Sequence, residues 1–122
     1  MWAGQAAEAL PWLEAALRLD RGNSFTAQRL CTTYYLLRRY SDAIDACIRS
    51  LSGNTGRNTQ MIAHPTLAAA YAQLGRQQEA DRERDVTLRQ WPFLNAHTFA
   101  AQFGTAEAQA LTLEGLEKAG FR

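Results

Sequence analysis

The chain has 122 residues, of which 47% are hydrophobic and 20% are charged, so its length predicts one domain and its apolar content excludes a wholly disordered chain. Thirteen basic and twelve acidic residues leave a net charge of +1, which gives no electrostatic reason to expect nucleic acid or an anionic membrane as a partner. No apolar run approaches the ~20 residues of a membrane span.

The composition favours helices throughout. Ala, Leu, Arg, Gln and Glu, which are good helix formers, dominate the sequence, whereas Val is found once and Ile three times. No segment alternates apolar and polar residues for long enough to form a strand. We therefore expect an all-α fold.

Three stretches, 4–23, 38–57 and 75–92, align as repeats. Two columns of small residues align in them: Ala9 with Ala43 and Ala80, and Ala16 with Ser50 and Thr87. Helix axes approach to about 8–10 Å only where side chains are short. We therefore expect Ala43 and Ala80 to be buried between helices.

The intervening segments also align, because a Leu-small-x-x-Tyr pattern at Leu30 returns 37 residues later at Leu67. Each unit is therefore predicted to be two short helices with one apolar stripe each. Arg38 aligns with Gly75 in the tight turn between them, which predicts a left-handed backbone at Arg38. The loop between units is assigned to 53–60, and Pro65 predicts that the next helix begins late, near 62–65.

The first stretch is only half a unit. It matches a second helix, and no partner helix precedes it, so we expect either a segment cut from a longer protein or a start within an ancestral repeat. The N-terminus has no basic start and carries early acidic residues, which is not typical of a signal peptide. The unpaired helix should expose an apolar patch and mediate a homodimer through Trp2, Leu10, Trp12 and Leu13.

The pattern changes after Pro92. Residues 93–103 can form a short helix, and Thr105 can cap a last helix that runs to about Ala119 and stops at Gly120. The predicted organisation is a half repeat over 4–23, repeats over 24–57 and 61–92, and a helical cap over 93–122.

These residues resemble the tetratricopeptide repeat. LAAAYAQLGRQQEA, residues 67–80, follows the family pattern over its whole length, and YLLRRYSDAIDACIRSL, residues 35–51, is nearly as close. The resemblance implies a right-handed solenoid of antiparallel helix pairs over residues 4–92. The usual turn glycine is Arg38 in the first full unit, and the closing proline is present only as Pro92.

The tail is similar to a narrower group. Pro92, Phe93 and GLEKAGF, residues 115–121, resemble the ends of bacterial tetratricopeptide regulators that carry an adenylate or guanylate cyclase domain. This similarity implies a bacterial signalling protein, although no part of a cyclase domain lies in this chain.

The family resemblance also implies a binding surface. In this family the first helices of the units line a concave groove for a protein or peptide partner, and the matching positions here are Phe25, Gln28, Thr32, Tyr35, Leu36, Ala69, Ala72 and Gln73. The Lys, Arg and Asn clamp of the chaperone-binding members is absent at Gln28, Thr32, Pro65 and Ala69. A chaperone tail is therefore not the expected ligand.

The residue types associated with catalysis form no constellation. Cys31 and Cys47 could form a disulfide or bind a metal, but we interpret them as small buried residues with free thiols, which suits a reducing cytosol. His64 and His97 are single, and the acids of 79–85 alternate with arginines, as on a solvated face. We expect no enzyme, metal or cofactor. The rival hypothesis is a nucleic-acid-binding helical repeat, which twelve arginines favour and the balanced charge disfavours.

Overall fold

A computed structural model describes residues 3–52 and 55–121. These residues form seven helices and no strand, which confirms the all-α class. The helices are α1 (Ala3–Leu19), α2 (Ser24–Leu36), α3 (Tyr40–Leu51), α4 (Arg57–Gln73), α5 (Gln77–Gln90), α6 (Ala96–Ala101) and α7 (Ala106–Lys118).

Helices α2 and α3 form a first pair, and α4 and α5 form a second. A three-residue turn joins the helices of each pair, and the central residue is left-handed in both, with φ of 62° at Arg38 and 77° at Gly75. The amide of Arg39 donates to the Tyr34 carbonyl over 2.9 Å, as Arg76 does to Tyr71. The prediction of a left-handed Arg38 is therefore confirmed.

Close helix contacts in both pairs occur at the small residues. Ala43 and Ala80 are 0% exposed, as predicted, and Ser50 and Thr87 in the second column are also fully buried. The buried columns do not extend to α1, the predicted half unit, where Ala9 is half-buried and Ala16 is exposed. Helix α1 packs mainly against α2, whereas α2 and α4 also pack against each other.

The predicted late start of α4 is wrong. The helix begins at Arg57 and carries Pro65 in its interior, so residues 57–60 of the predicted loop are helical. Residues 53 and 54 of that loop lie outside the described residues. An interior proline removes one backbone hydrogen bond and costs about 3 kcal/mol. Burial of Ala63 and of every residue from 65 to 72 offsets this cost.

The interpretation of the cysteines as free thiols is also wrong. Cys31 and Cys47 form a disulfide that joins α2 to α3, with their Cα atoms 4.9 Å apart. Both residues are fully buried, so the cross-link lies inside the first pair. The repeat alignment places one cysteine in each helix of this pair, but it gives no measure of how the two Cβ atoms face each other. The predicted cytosolic location loses the support that free thiols would have given it.

The C-terminal segment forms the two predicted helices. Asn95 and Thr105 cap α6 and α7 by accepting bonds from Thr98 N at 3.1 Å and Ala108 N at 3.2 Å. Helix α7 ends beside Gly120, whose φ of 98° stops it as predicted. Instead of extending the row of helices beyond α5, α7 lies across α4 and also touches α2.

Candidate interaction surface

The predicted groove residues are not an open surface. Most of them are buried, and this group contains Gln28, Thr32, Tyr35, Leu36, Ala69 and Ala72. Gln73 is half-buried, and Phe25, at 60%, is the one largely exposed member. The expectation that these side chains face solvent is therefore corrected.

Helix α7 is what covers the centre of this face. The Tyr35 hydroxyl donates to the Leu111 carbonyl of α7 over 2.8 Å. Gln73 donates its amide to the Tyr35 hydroxyl over 3.3 Å and accepts a bond from Lys118 Nζ over 3.0 Å. These three bonds form a short polar chain from α2 through α4 to α7.

A glycine permits this close approach. A Cβ at Gly115 would collide with the Tyr35 hydroxyl and would lie 2.9 Å from the Ala69 Cβ. Every other residue type would therefore push α7 away from α2 and α4. Burial raises the pKa of Tyr35 far above its ordinary value, so this hydroxyl keeps its proton and remains a donor at neutral pH.

The end of α7 is fixed by a second set of contacts. Arg84 donates to the Ala119 carbonyl over 3.1 Å, and Gln77 donates to the Lys118 carbonyl over 3.2 Å. Phe121 is buried behind Gly120. Both donors come from α5, so the second pair holds the last turn of the chain.

An apolar depression at the other end of α4 was not found from the sequence. It has a volume of about 480 Å³ and lies among Met61, Trp91, Pro92, Phe93, Leu94 and Phe99. Phe93 is 97% exposed beside it. Trp91 is buried, and its indole N–H has no hydrogen-bond partner among the described residues. The available signal in the sequence is the pair of aromatic residues Trp91 and Phe93, which the predicted boundary divides between the repeat 61–92 and the cap 93–122.

A polar cleft of about 380 Å³ lies between α1 and α3. Three acidic and three basic side chains line it: Glu14, Asp42, Asp45, Arg18, Arg21 and Arg49. The Tyr34 hydroxyl, which also lines the cleft, donates to Glu14 over 2.6 Å. Burial, and then this bond, raise the pKa of Tyr34 to about 12. Balanced charge gives the cleft no preference for an anion or a cation.

Of the four residues predicted to mediate a homodimer, the three that the structure describes do not share one exposed patch. Trp12 is 80% exposed, whereas Leu10 and Leu13 are half-buried and pack against the core. Trp2 lies outside the described residues. Leu19, two turns beyond Trp12, adds a second exposed apolar side chain to α1.

In the described part of the chain, the histidines and acidic side chains do not come together as a possible metal site. His64 Nδ1 lies 2.9 Å from Glu83 Oε2, which joins α4 to α5, and His97 is exposed. No group of three or more His, Cys, Asp or Glu side chains suited to a metal is found in residues 3–52 and 55–121. None of the helices over this part of the chain is long and apolar enough to cross a bilayer.

In comparisons with known proteins, the chain matches no family model, no curated protein and no solved structure.

Proposed function

We propose that the chain is a tetratricopeptide-type solenoid with a half unit, two helix pairs and a C-terminal cap. The equivalent turns support this proposal. Arg39 lies 4.7 Å from the Tyr34 ring and pairs with Asp42, and Arg76 lies 5.0 Å from the Tyr71 ring and pairs with Glu79. Positions 37 residues apart thus have the same backbone conformation, and each turn has its own cation–π contact and ion pair.

The packing order supports the same proposal. Each helix from α1 to α5 packs on its neighbour in the chain, and the first helices of the pairs, α2 and α4, also pack on each other. This order is expected when helix pairs stack as successive units, because each unit buries its apolar face on the next.

The function that we propose is protein binding by the face that α2 and α4 share. The observation that carries it is α7 itself, because a helix already lies on this face and is held there by Tyr35 and Gln73. A surface that buries an amphipathic helix in this way has the properties of a helix-in-groove binding site.

A display library of helical peptides, selected against the intact chain, tests this proposal. We expect selected peptides to perturb the amide resonances of α2, α4 and α7, and a Gln73→Glu variant to bind them more weakly or with altered charge preference. Gln90→Glu, an exposed change at the end of α5, is the matched control. Selected peptides that perturb only the outer helices α3 and α5, or tight binding of RNA or DNA without peptide binding, would contradict the proposal.

A further inference from the structure

The apolar depression beside Phe93 has walls that local hydrogen bonds hold in place. The Trp91 amide donates to the Thr87 carbonyl over 2.8 Å, and the Leu94 amide donates to the Trp91 carbonyl over 3.0 Å. Asn95, the next residue, caps α6. Sites for small molecules are mostly apolar, largely preformed and about 300–1,000 Å³ in volume. The depression, at about 480 Å³, has the size and lining of such a site.

One polar group in this lining has no partner. Trp91 lines the depression and is 7% exposed, and its indole N–H is a buried donor without an acceptor among the described residues. The backbone N–H and C=O of the same residue are both paired, so only the side chain lacks a hydrogen bond. A buried donor without a partner costs free energy, which an acceptor on a ligand would recover. The group that this lining lacks is therefore a hydrogen-bond acceptor.

The charge recorded beside Trp91 is positive. The Arg57 guanidinium lies 5.8 Å from the centroid of the Trp91 ring, and its side chain forms no ion pair or hydrogen bond within residues 3–52 and 55–121. Among the described residues, none that lines the depression is acidic, whereas three acids line the cleft between α1 and α3. A guanidinium group without a counter-ion favours a carboxylate, because its planar N–H donors match the two carboxylate oxygens.

We infer that the depression is a binding site for a small apolar carboxylic acid, a molecule with a hydrocarbon body and one ionised carboxylate. In this complex the body packs on Met61, Phe93 and Phe99, and the carboxylate accepts hydrogen bonds from the Trp91 indole and from Arg57. Cover of the Phe93 ring, which is 97% exposed, adds to the affinity. The inference goes beyond the proposed function and does not depend on it, because the side chains that hold α7 do not line the depression.

Decanoate tests the inference when it is titrated, below its micellar concentration and at neutral pH, into the intact isotope-labelled chain. We expect saturable binding that moves the indole N–H resonance of Trp91 and leaves that of Trp12 in place. A Trp91→Phe variant identifies the first resonance by its loss. Decyltrimethylammonium, which has the same hydrocarbon chain and the opposite charge, is the matched probe and should bind at least about tenfold more weakly.

Variants at exposed positions test the charge without disturbing the fold. Arg57→Gln should weaken decanoate binding about three- to tenfold and leave the binding of uncharged decanol unchanged. Arg82→Gln, at an exposed arginine of α5 outside the lining, is the matched control and should bind decanoate like the parent. Phe93→Glu places a carboxylate beside the site and should weaken decanoate binding at least about tenfold. Equal decanoate affinity in the Arg57→Gln variant and the parent, equal binding of the cationic probe, or an unmoved Trp91 resonance would overturn the inference.

Discussion

The two helix pairs place equivalent residues in equivalent turns but are fastened by different means. In the first pair the disulfide between Cys31 and Cys47 joins the helices covalently. The equivalent positions of the second pair are Ala68 and Arg84, and Arg84 reaches out of the pair to the Ala119 carbonyl. The two pairs therefore share a backbone arrangement but are stabilised by different contacts. The aligned positions Cys47 and Arg84 form a disulfide in the first pair and a hydrogen bond to the end of α7 in the second.

The largest difference between the pairs should be the disulfide. A cross-link that closes a loop of 16 residues stabilises a fold by about 3 kcal/mol, mainly by restricting the unfolded chain. Replacing both Cys31 and Cys47 with alanine should lower the free energy of unfolding by that amount, measured by guanidinium titration. Reductant should weaken the parent to a similar degree and leave the double variant unchanged. If reductant, added to the fully unfolded parent, does not change its free energy of unfolding, the disulfide is not formed.

The small columns should respond alike in both pairs. Leucine at Ala43 or Ala80 overpacks a fully buried contact and should destabilise the chain by about 1–3 kcal/mol. We expect the larger loss at Ala43, because the disulfide prevents α2 and α3 from moving apart. Ala110→Leu, at an exposed site, is the control for the added side chain. Denaturant titration that finds no loss at Ala80 would contradict the equivalence of the two pairs.

Helix α1 packs on the first pair, where it contacts α2. Self-association through α1 remains a prediction, and Trp12 is its best probe because Leu13 is part of the packed interior. Burying one large apolar side chain contributes about 1.5–3 kcal/mol, so Trp12→Glu should raise a dimer dissociation constant about 10- to 100-fold. Sedimentation at several concentrations measures this. Phe93→Glu, which changes an exposed residue outside α1, should have no effect on the dimer. A dimer that only Phe93→Glu disrupts would place the interface at the apolar depression instead.

The turns offer a reciprocal test of about 1 kcal/mol. Arg38→Gly relieves a side chain from the left-handed region and should stabilise the chain, whereas Gly75→Ala imposes that strain and should destabilise it. No atom lies within 4 Å of a Cβ added at Gly75, so the loss there reports the backbone alone. Thermal unfolding of the two variants should shift in opposite directions. Shifts of the same sign would mean that the two turns are not equivalent.

The smallest effect concerns the aligned tyrosines. The pKa of Tyr34 is about 12 in the folded chain and 10.0 for a free tyrosine, so the protonated phenol is favoured by folding. Its contribution is complete below pH 10 and is lost as the pH rises through about 12. Glu14→Gln should lower this pKa but leave it above 10, because burial is the largest cause.

Phenolate absorbance, compared with a Tyr34→Phe variant to assign the signal, measures this pKa. Burial is also the main cause of the raised pKa of Tyr71 in the second pair, which should not respond to Glu14→Gln. If the pKa of Tyr34 stays at its parent value in the Glu14→Gln variant, the Glu14 carboxylate does not contribute to raising it.

The sequence alone determined the features that depend on neighbours in the chain. The spacing of Leu67 and Tyr71 predicted one buried helix face, although Leu74 of the same pattern lies beyond the end of α4 and is exposed. The alignment of Arg38 with Gly75 predicted a left-handed turn, and Thr105 with Gly120 predicted the ends of α7. Each of these follows from helix periodicity or from the dihedral preference of one residue, so it can be read without a tertiary structure.

Only the tertiary structure decided which distant surfaces meet. The interior position of Pro65 depends on burial of the helix around it, and the disulfide depends on the facing of two Cβ atoms across two helices. The position of α7 depends on a notch that Tyr35 and Ala69 form for Gly115, residues far apart in the chain. Local pattern defines the face of a helix, but shape complementarity between faces decides where that helix lies, and this property is not local to any segment.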